Sequence, residues 1–320
     1  MSVEAEIKSP SLEETLEALQ EETLFQPLRR TQEPPLGPAG PSLSYWADVW
    51  HRFRGHKPAI VSLCALLLLM LFALFAPLFS SYTFYETHLE LNNLSPCKMF
   101  WFGSDDLGRD MFVRIWTGAR ISLFIGVTAA GIDLILGVLW GGTAALAGGK
   151  IDEVMMRVAD VLYAIPYLLI VIMLMVVMGP GLLTIIIAMS ITGWIGMARL
   201  VRGQVLQLKQ RTFVQAAVAL GASGPRILWK HLIPNTMGPI IVMMTLTIPT
   251  AIFTEAFLSF LGLGVQAPIA SWGTMAAESL SAMRYYPWRL FFPAGFISGT
   301  MLALYIVGDG LRDAVDPRMR

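Results

Sequence analysis

Long apolar runs constrain this chain more than any other feature of its sequence. Residues 59–79 contain no charged side chain, and about 20 apolar residues in a helix cross the roughly 30 Å hydrocarbon core of a bilayer. Charged residues make up only 14% of the 320 residues and the mean hydropathy is +0.60, which excludes an ordinary soluble domain. Five further apolar segments complete the set, at 121–147, 154–178, 182–206, 237–258 and 291–307. We therefore predict an all-α, polytopic membrane protein with six transmembrane helices.

Flanking charges predict the orientation of these spans. Residues 45–57 should form an interfacial helix, with tryptophan and phenylalanine on one face and cations next to the first span. Six of the 23 Lys and Arg residues fall outside under this topology, which satisfies the positive-inside rule. Both termini are therefore expected in the cytoplasm. The formal net charge of zero indicates no nucleic-acid partner.

Composition predicts five segments along the chain. A cytoplasmic tail comes first and includes a capping-box sequence at Ser11–Glu14 and a linker rich in proline and glycine. The interfacial helix and first span follow, then an external loop, then five helices with a cytoplasmic coupling loop, and then a short cytoplasmic end. The predicted boundaries are 1–44, 45–80, 81–117, 118–310 with the coupling loop at 212–235, and 311–320.

The external loop carries acidic residues next to arginines. Ser104 or Asp106 could cap a short helix, and Asp110 precedes Arg114 by four residues, a spacing that allows an ion pair on one helix face. Two interpretations stay open: an elbow that faces a receptor, or charges that only solvate the loop and orient the next helix.

Four ionisable residues within predicted spans are functional candidates, because charge in hydrocarbon is costly. Arg157 and Asp160 are three residues apart and could neutralise each other. Asp133 and Glu255 have no partner nearby in the sequence. For these two residues we predict a translocation pathway, with a buried hydrogen-bonded role as the alternative.

Catalytic motifs are missing from the sequence. The histidines do not have zinc-ligand spacing, and neither a glycine-flanked nucleophilic serine nor a GxxxxGK[ST] phosphate loop occurs. We therefore expect no catalytic or metal-binding residue and no enzymatic activity in this chain. Energy for transport would come from a partner or from an ion gradient.

The polar segment 212–235 between the fourth and fifth spans has the pattern of a bent lever. Thr212 is the expected N-cap of a short helix, Gly221 should break that helix, and Pro225 should begin a second one. Phe213, Leu220 and Trp229 are candidate apolar anchors for a partner protein. The alternative is an amphipathic loop that lies on the membrane.

The arrangement Gln215-Ala216-Ala217-x3-Gly221-x9-His231 resembles the EAA loop of permease subunits in ATP-binding-cassette importers. Three further motifs resemble the dipeptide and oligopeptide branch, in its second, shorter permease subunit. They are FGSDDLGRDMFVRIWTGARISL at 102–123, FLSFLGLGVQAPIASWGTM at 257–275 and GDGLRDAVDPR at 308–318. Nickel importers share this permease type, so both substrate classes stay open, with peptides favoured.

The resemblance implies a heterodimer with a homologous permease subunit in a prokaryotic plasma (inner) membrane. Two cytoplasmic ATP-binding subunits would bind ATP and Mg²⁺, and an external solute-binding protein would deliver the solute for alternating access. By position, the ATPase contact falls on Gln215, Ala216, Ala217, Gly221 and His231.

Gln215 departs from the family pattern, which usually has Glu at this position, so a charge-assisted contact cannot be assumed there. Two alternatives of other classes remain at this point. One is a gradient-driven secondary transporter that uses Asp133 and Glu255, and the other is a membrane scaffold that transports nothing.

Overall fold

The structure of the protein, a computed structural model, describes residues 44–315. The helix predicted in the tail from Ser11–Glu14 lies outside these residues. Apart from one isolated bridge between Ser104 and Asp110, the described part of the chain consists of helices, turns and loops. The all-α prediction is therefore confirmed. The helices are α1 Tyr45–Gly55, α2 Lys57–Phe75, α3 Met111–Ala147, α4 Gly149–Ala164, α5 Tyr167–Met178, α6 Leu182–Lys209, α7 Thr212–Ala219, α8 Gly224–Ile227, α9 Ile233–Phe260, α10 Trp272–Ser279 and α11 Trp288–Val315.

Five helices of the described residues are long and apolar enough to cross a membrane. A π-helical turn at Leu228–Leu232 joins α8 to α9, so these two form one span. α4 and α5 make a sixth when they are counted as one bent span. The five are Lys57–Phe79, Met111–Ala147, Leu182–Lys209, Gly224–Phe260 and Trp288–Val315.

The predicted third span is wrong in shape, because the chain turns by 79° between α4 and α5. Ile165 has extended backbone angles, with φ of −72° and ψ of 128°, and Pro166 follows it. Proline offers no backbone N–H and disfavours the helical conformation of the preceding residue. Hydropathy did not reveal this break, because the predicted span at 154–178 is apolar on average, although α4 carries charged residues and α5 carries none.

Helices α3 and α6 pack closely because glycines on α3 face α6. A Cβ at Gly137 would lie 2.5 Å from the Met197 Cβ, and one at Gly141 would overlap the Ala198 carbonyl. Small residues of this kind let membrane helices approach closely when lipid supplies no hydrophobic drive between them. These glycines therefore serve packing.

Helix α1 packs on the bundle with part of its predicted apolar face. Val49 and Phe53 are buried in a cluster with Ala59 of α2 and Val307 of α11. Trp50 stays half exposed. Between α1 and α2, the Nδ1 atom of His56 accepts a hydrogen bond from the Ala59 N–H, so the junction of the two helices is capped.

The helix-cap prediction for the external loop is wrong. Asp110 is the N-cap of α3, and its carboxylate accepts a hydrogen bond of 2.9 Å from the Phe112 N–H. Ser104 donates instead to the Leu91 carbonyl oxygen at 2.5 Å, and Asp106 caps no helix in residues 44–315. Helix α3 also begins ten residues before the predicted span, inside the segment that we expected to be loop.

Buried arginines connect the segment before α3 to the helical bundle. Arg114 is 2% exposed, and its Nη2 donates to Glu278 of α10 at 3.0 Å, while its Nε lies 3.4 Å from Asp105. Arg109 Nε donates to the same Asp105 at 2.6 Å. The predicted pair of Asp110 with Arg114 is therefore wrong, because the carboxylate of Asp110 caps the helix. These ion pairs connect the loop before α3, α3 itself and α10. The alternative in which the charges only solvate the loop is therefore not what the structure shows.

Candidate functional site

The loop between α6 and α9 is an elbow whose bend is fixed by backbone hydrogen bonds. Gly221 has a φ of +80°, the left-handed region that favours glycine. The Gly221 N–H donates to the Val218 carbonyl at 2.9 Å, and the Ala222 N–H donates to the Ala217 carbonyl at 3.0 Å. This pair of bonds is the Schellman arrangement that closes a helix. The helix break predicted at Gly221 is therefore present.

The two arms of the elbow follow the predicted order with a shift of one residue. Arg211, not Thr212, is the N-cap of α7, and no side chain caps that helix end. The second arm begins at α8 with Pro225 in its first turn, where a missing N–H costs nothing. The predicted helix–Gly–helix shape is confirmed.

The five residues assigned to ATPase contact lie along this elbow, and none is fully buried. Gln215, Ala216 and Gly221 are exposed, whereas Ala217 and His231 are half-buried. The Gln215 side-chain amide donates to the Gln210 carbonyl at 3.3 Å, so it holds the start of α7 without any charge.

Large apolar side chains point outward from the same elbow. Phe213 is 41% exposed, Trp229 is 50% exposed and Leu220, at the bend, is 88% exposed. Apolar side chains gathered on an exposed surface mark a contact site for a protein or a membrane.

The opposite face of the elbow is fixed to the bundle. Val214 of α7 and Leu228 are buried in one cluster with Val201 and Val205 of α6. Lys209 Nζ donates to the carbonyls of the last turn of α3, to Ala145 at 2.9 Å and Leu146 at 3.1 Å. A cation at this helix end also complements the helix dipole. Packing and hydrogen bonds therefore attach the elbow to both α3 and α6.

A partly open cavity of about 460 Å³ is lined by residues of α3, α5, α6, α9 and α11. Asp133 of α3 lines it and is 6% exposed, and its Oδ1 atom is buried without a hydrogen-bond partner among the described residues. A Cβ at Gly193 of α6 would overlap this carboxylate. Only a glycine at position 193 leaves the space that the carboxylate fills.

Glu255, the second predicted pathway residue, is placed differently. It is fully buried, and three serine hydroxyls donate to its carboxylate: Ser271 at 2.6 Å, Ser259 at 2.8 Å and Ser122 at 3.2 Å. The cluster joins α3, α9 and the start of α10. This placement favours the hydrogen-bonded alternative for Glu255, and its pathway role stays a prediction.

Comparison with known proteins identifies the family. The family model described as "Binding-protein-dependent transport system inner membrane component" matches residues 134–320, more than half of the chain. The chain belongs to this family. A second model, the "N-terminal TM domain of oligopeptide transport permease C", matches residues 44–96.

Relatives of this permease agree with that assignment. It is 62% identical to the oligopeptide transport system permease protein OppC of Bacillus subtilis over 87% of this chain and 92% of the relative. It is 56% identical to the dipeptide permease protein DppC of the same organism, over 88% of each chain. The glutathione transport permease protein GsiD of Escherichia coli is 42% identical over 86% of this chain and 91% of its own.

Among solved structures, the inward-facing MetNI methionine ABC transporter has a TM-score of 0.55 at 17% identity, covering 64% of this chain and 98% of that chain. This likeness shows the fold alone. Family membership makes the chain a multi-pass membrane permease subunit of a bacterial ABC importer, which is not itself an enzyme. The resemblance inferred from sequence is confirmed, and the gradient-driven and scaffold alternatives find no support.

Ion pairs within the permease bundle differ from the predicted ones. Asp160 of α4 accepts from Arg199 of α6 at 2.8 Å rather than pairing with Arg157. Asp152 accepts two bonds from Arg202, at 2.6 and 2.8 Å. Arg199 and Arg202 of α6 therefore pair with Asp160 and Asp152 of α4, and the bidentate Arg202–Asp152 pair has the stronger geometry.

Several residues of the permease site gave only weak signals in the sequence. Thr247, Thr250 and Thr254 line the cavity at helical spacing, a polar stripe that could have been noticed within an apolar run. Ser259 lies one turn after Glu255 and was also detectable. Tyr167 comes from another helix, and nothing near it in the sequence links it to Asp133.

Proposed function

We propose that this permease is one of two homologous membrane subunits of an ATP-driven importer of short peptides that works by alternating access. Its further partners are two cytoplasmic ATP-binding subunits and an external solute-binding protein. ATP and Mg²⁺ bind to the ATP-binding subunits rather than to this chain.

One observation carries this proposal: the elbow exposes large apolar side chains on one face and is fixed to α3 and α6 on the other. Leu220 at the bend is 88% exposed, and Lys209 holds the base of the elbow to the end of α3. A partner that binds the exposed face can therefore tilt α3 and α6, the two helices that pack most closely in the bundle.

Docking in this proposal uses the five residues named from the sequence. Ala216 and Ala217 have small side chains, so the first arm can seat deeply in a groove of the ATP-binding subunit. Gly221 sets the angle between the arms. Gln215 and His231 lie on the same elbow, and Gln215 offers a neutral hydrogen bond where a glutamate would offer a charge-assisted one.

The proposed location is a bacterial plasma membrane with both termini in the cytoplasm. An even number of spans, with α4 and α5 counted as one, supports this proposal, because a chain that crosses the membrane six times returns to the side on which it began. The distribution of Lys and Arg supports a cytoplasmic elbow.

Peptides are the proposed substrate because the relatives are named for oligopeptide, dipeptide and glutathione transport. A nickel importer of the same permease type is the competing assignment. Uptake of labelled short peptides and of Ni²⁺ by the complete importer separates the two.

The coupling role is tested by Gly221→Val in the complete importer reconstituted in proteoliposomes. A β-branched residue at a φ of +80° is strained by about 1–3 kcal/mol, so the elbow leaves its observed angle. We expect ATP-driven peptide uptake to fall about tenfold while ATP hydrolysis continues, because about 1.4 kcal/mol is a tenfold change in population.

Gly149→Val is the matched control. Gly149 also has a positive φ, +53°, with no neighbour within 4 Å of an added Cβ, but it is the first residue of α4, outside the elbow. Uptake that survives Gly221→Val, or that falls equally in both variants, would refute a specific coupling role for the elbow. In the unmodified complex, uptake must require ATP, and its rate must be unchanged by ionophores.

A further inference from the structure

We infer that the cavity around Asp133 binds the protonated amino group of the transported peptide, with the Asp133 carboxylate as its counter-charge. This inference rests on the proposed peptide import and specifies which part of the substrate the permease itself recognises.

Two buried polar atoms of the cavity have no hydrogen-bond partner within residues 44–315. They are Asp133 Oδ1 and the Tyr167 hydroxyl, and both residues line the same cavity. Asp133 also forms no ion pair with any described residue. An unpaired acid within a membrane bundle is costly, and an entering cation removes that cost.

Hydroxyl groups add acceptors to the same wall. Each of three threonine hydroxyls on α9 donates its proton to a carbonyl one turn earlier, so its oxygen lone pairs remain available to a ligand. These bonds run from Thr247 to Met243 at 2.9 Å, from Thr250 to Leu246 at 3.0 Å and from Thr254 to Thr250 at 2.8 Å.

The remaining lining selects the sign of the ligand charge. None of the described residues that line the cavity is Lys, Arg or His. One carboxylate, threonine oxygens and two tyrosine oxygens therefore favour a cation that carries several hydrogen-bond donors. A primary ammonium group has three N–H donors and one positive charge.

Dimensions and ligand number favour an organic ammonium over a metal ion. The volume of about 460 Å³ falls within the range of small-molecule sites, about 300–1,000 Å³. Among the described residues, no group of three His, Cys, Asp or Glu side chains could hold a metal ion. The amino-terminal end of a peptide supplies both the ammonium and apolar atoms for Met189 and Met243, which also line the cavity.

A single counter-charge also suits transport rather than storage. A site along a conduction path must bind well enough to admit its ligand and weakly enough to release it. Asp133 meets this need, because it provides one charge and the cavity provides neutral acceptors around it.

The test uses the complete importer in proteoliposomes with its binding protein outside. Uptake of trialanine with a free amino terminus is compared with uptake of N-acetyl-trialanine. Each rate is divided by the fraction of binding protein that carries that peptide, which is measured separately. We expect Asp133→Asn to lower uptake of the free-amino peptide about tenfold, as for loss of a charge-assisted hydrogen bond, and to leave the acetylated peptide unchanged.

Ser190→Ala is the matched control for this variant. The Ser190 hydroxyl is also buried without a partner in the described residues, but it does not line the cavity. Uptake of both peptides should therefore stay at the unmodified level. Equal losses for both peptides in Asp133→Asn, or no loss for either, would overturn the inference.

A second measurement needs neither ATP nor the binding protein. Leu246→Cys places a thiol in the cavity of the purified complex at an apolar position that supplies none of the proposed acceptors, with Cys64→Ser and Cys97→Ser removing the two natural cysteines. We expect trialanine to slow maleimide labelling of that thiol, and N-acetyl-trialanine to leave it unchanged. Adding Asp133→Asn should abolish the protection.

The two measurements separate the inference from the proposed function. A complex that never imports peptide with ATP would refute the proposed function, and thiol protection would still decide whether the cavity recognises an ammonium group. Protection by Na⁺ alone that matches the protection by trialanine would overturn the inference in favour of an inorganic cation site.

Discussion

Glu255 and Asp133 are both buried carboxylates in the same helical bundle, yet their surroundings are opposite. Three serine hydroxyls donate to Glu255, whereas Asp133 Oδ1 has no partner in the described chain and borders a cavity. Burial alone therefore does not separate a structural acid from a ligand-binding acid. Hydrogen bonding separates the two kinds of acid. A buried group with hydrogen-bond partners stabilises the fold, whereas a buried group without them is available to bind a ligand.

The largest effect that tests this comparison should come from Glu255→Leu. Three buried hydroxyls would lose their acceptor, at a cost of about 4 kcal/mol in total. We expect the melting temperature of the detergent-solubilised complex to fall by about 10 °C. Glu255→Gln, which keeps one acceptor oxygen, should lose less than half as much. A melting temperature within about 2 °C of the unmodified complex for Glu255→Leu would contradict a structural role.

Ser271→Ala should have the next largest effect. Ser271 both donates to Glu255 and accepts from the Thr274 N–H as N-cap of α10. Loss of a cap and one buried hydrogen bond costs about 1–2 kcal/mol, which lowers the melting temperature by about 4 °C. Ser190→Ala removes a buried hydroxyl that has no hydrogen-bond partner among the described residues, so it should leave the melting temperature unchanged. Equal effects of the two serine variants would remove the link between hydrogen bonding and stability.

Among the carboxylate variants, Asp133→Asn should have the smallest effect on stability. The Asp133 carboxylate forms no ion pair with a described residue, so removing its charge should leave the melting temperature within about 1 °C or raise it. Thermal unfolding of the two matched amide variants, Asp133→Asn and Glu255→Gln, measures this directly. A drop in Asp133→Asn as large as that in Glu255→Gln would make both acids structural and end the distinction.

Sequence predicted the spans and the elbow well, because both depend on local signals. Hydropathy located every long apolar helix, and glycine after a short helix located the bend at Gly221. The turn at Pro166 had a visible cause in the sequence, but apolar residues on both sides concealed it. Arg114 was assigned to the wrong acid because helix capping competes for Asp110, and sequence spacing does not rank these two interactions.

The two carboxylates could be named from sequence but not distinguished. Ser259 is one helical turn from Glu255, yet Ser122 and Ser271 come from other elements of the fold. The cavity at Asp133 likewise assembles side chains from five helices. Contacts between segments distant in sequence have no periodicity to reveal them, so the role of each acid needed the structure.

The length of α3 has a mechanical consequence. Its 37 residues give a rod of about 55 Å, with buried Arg114 near one end, Asp133 midway and the Lys209 contact at the other end. A tilt of about 1° shifts the two ends of such a rod relative to each other by about 1 Å. A small displacement at the Lys209 end of α3 would therefore shift the buried Arg114 near the opposite end, because one continuous helix joins them.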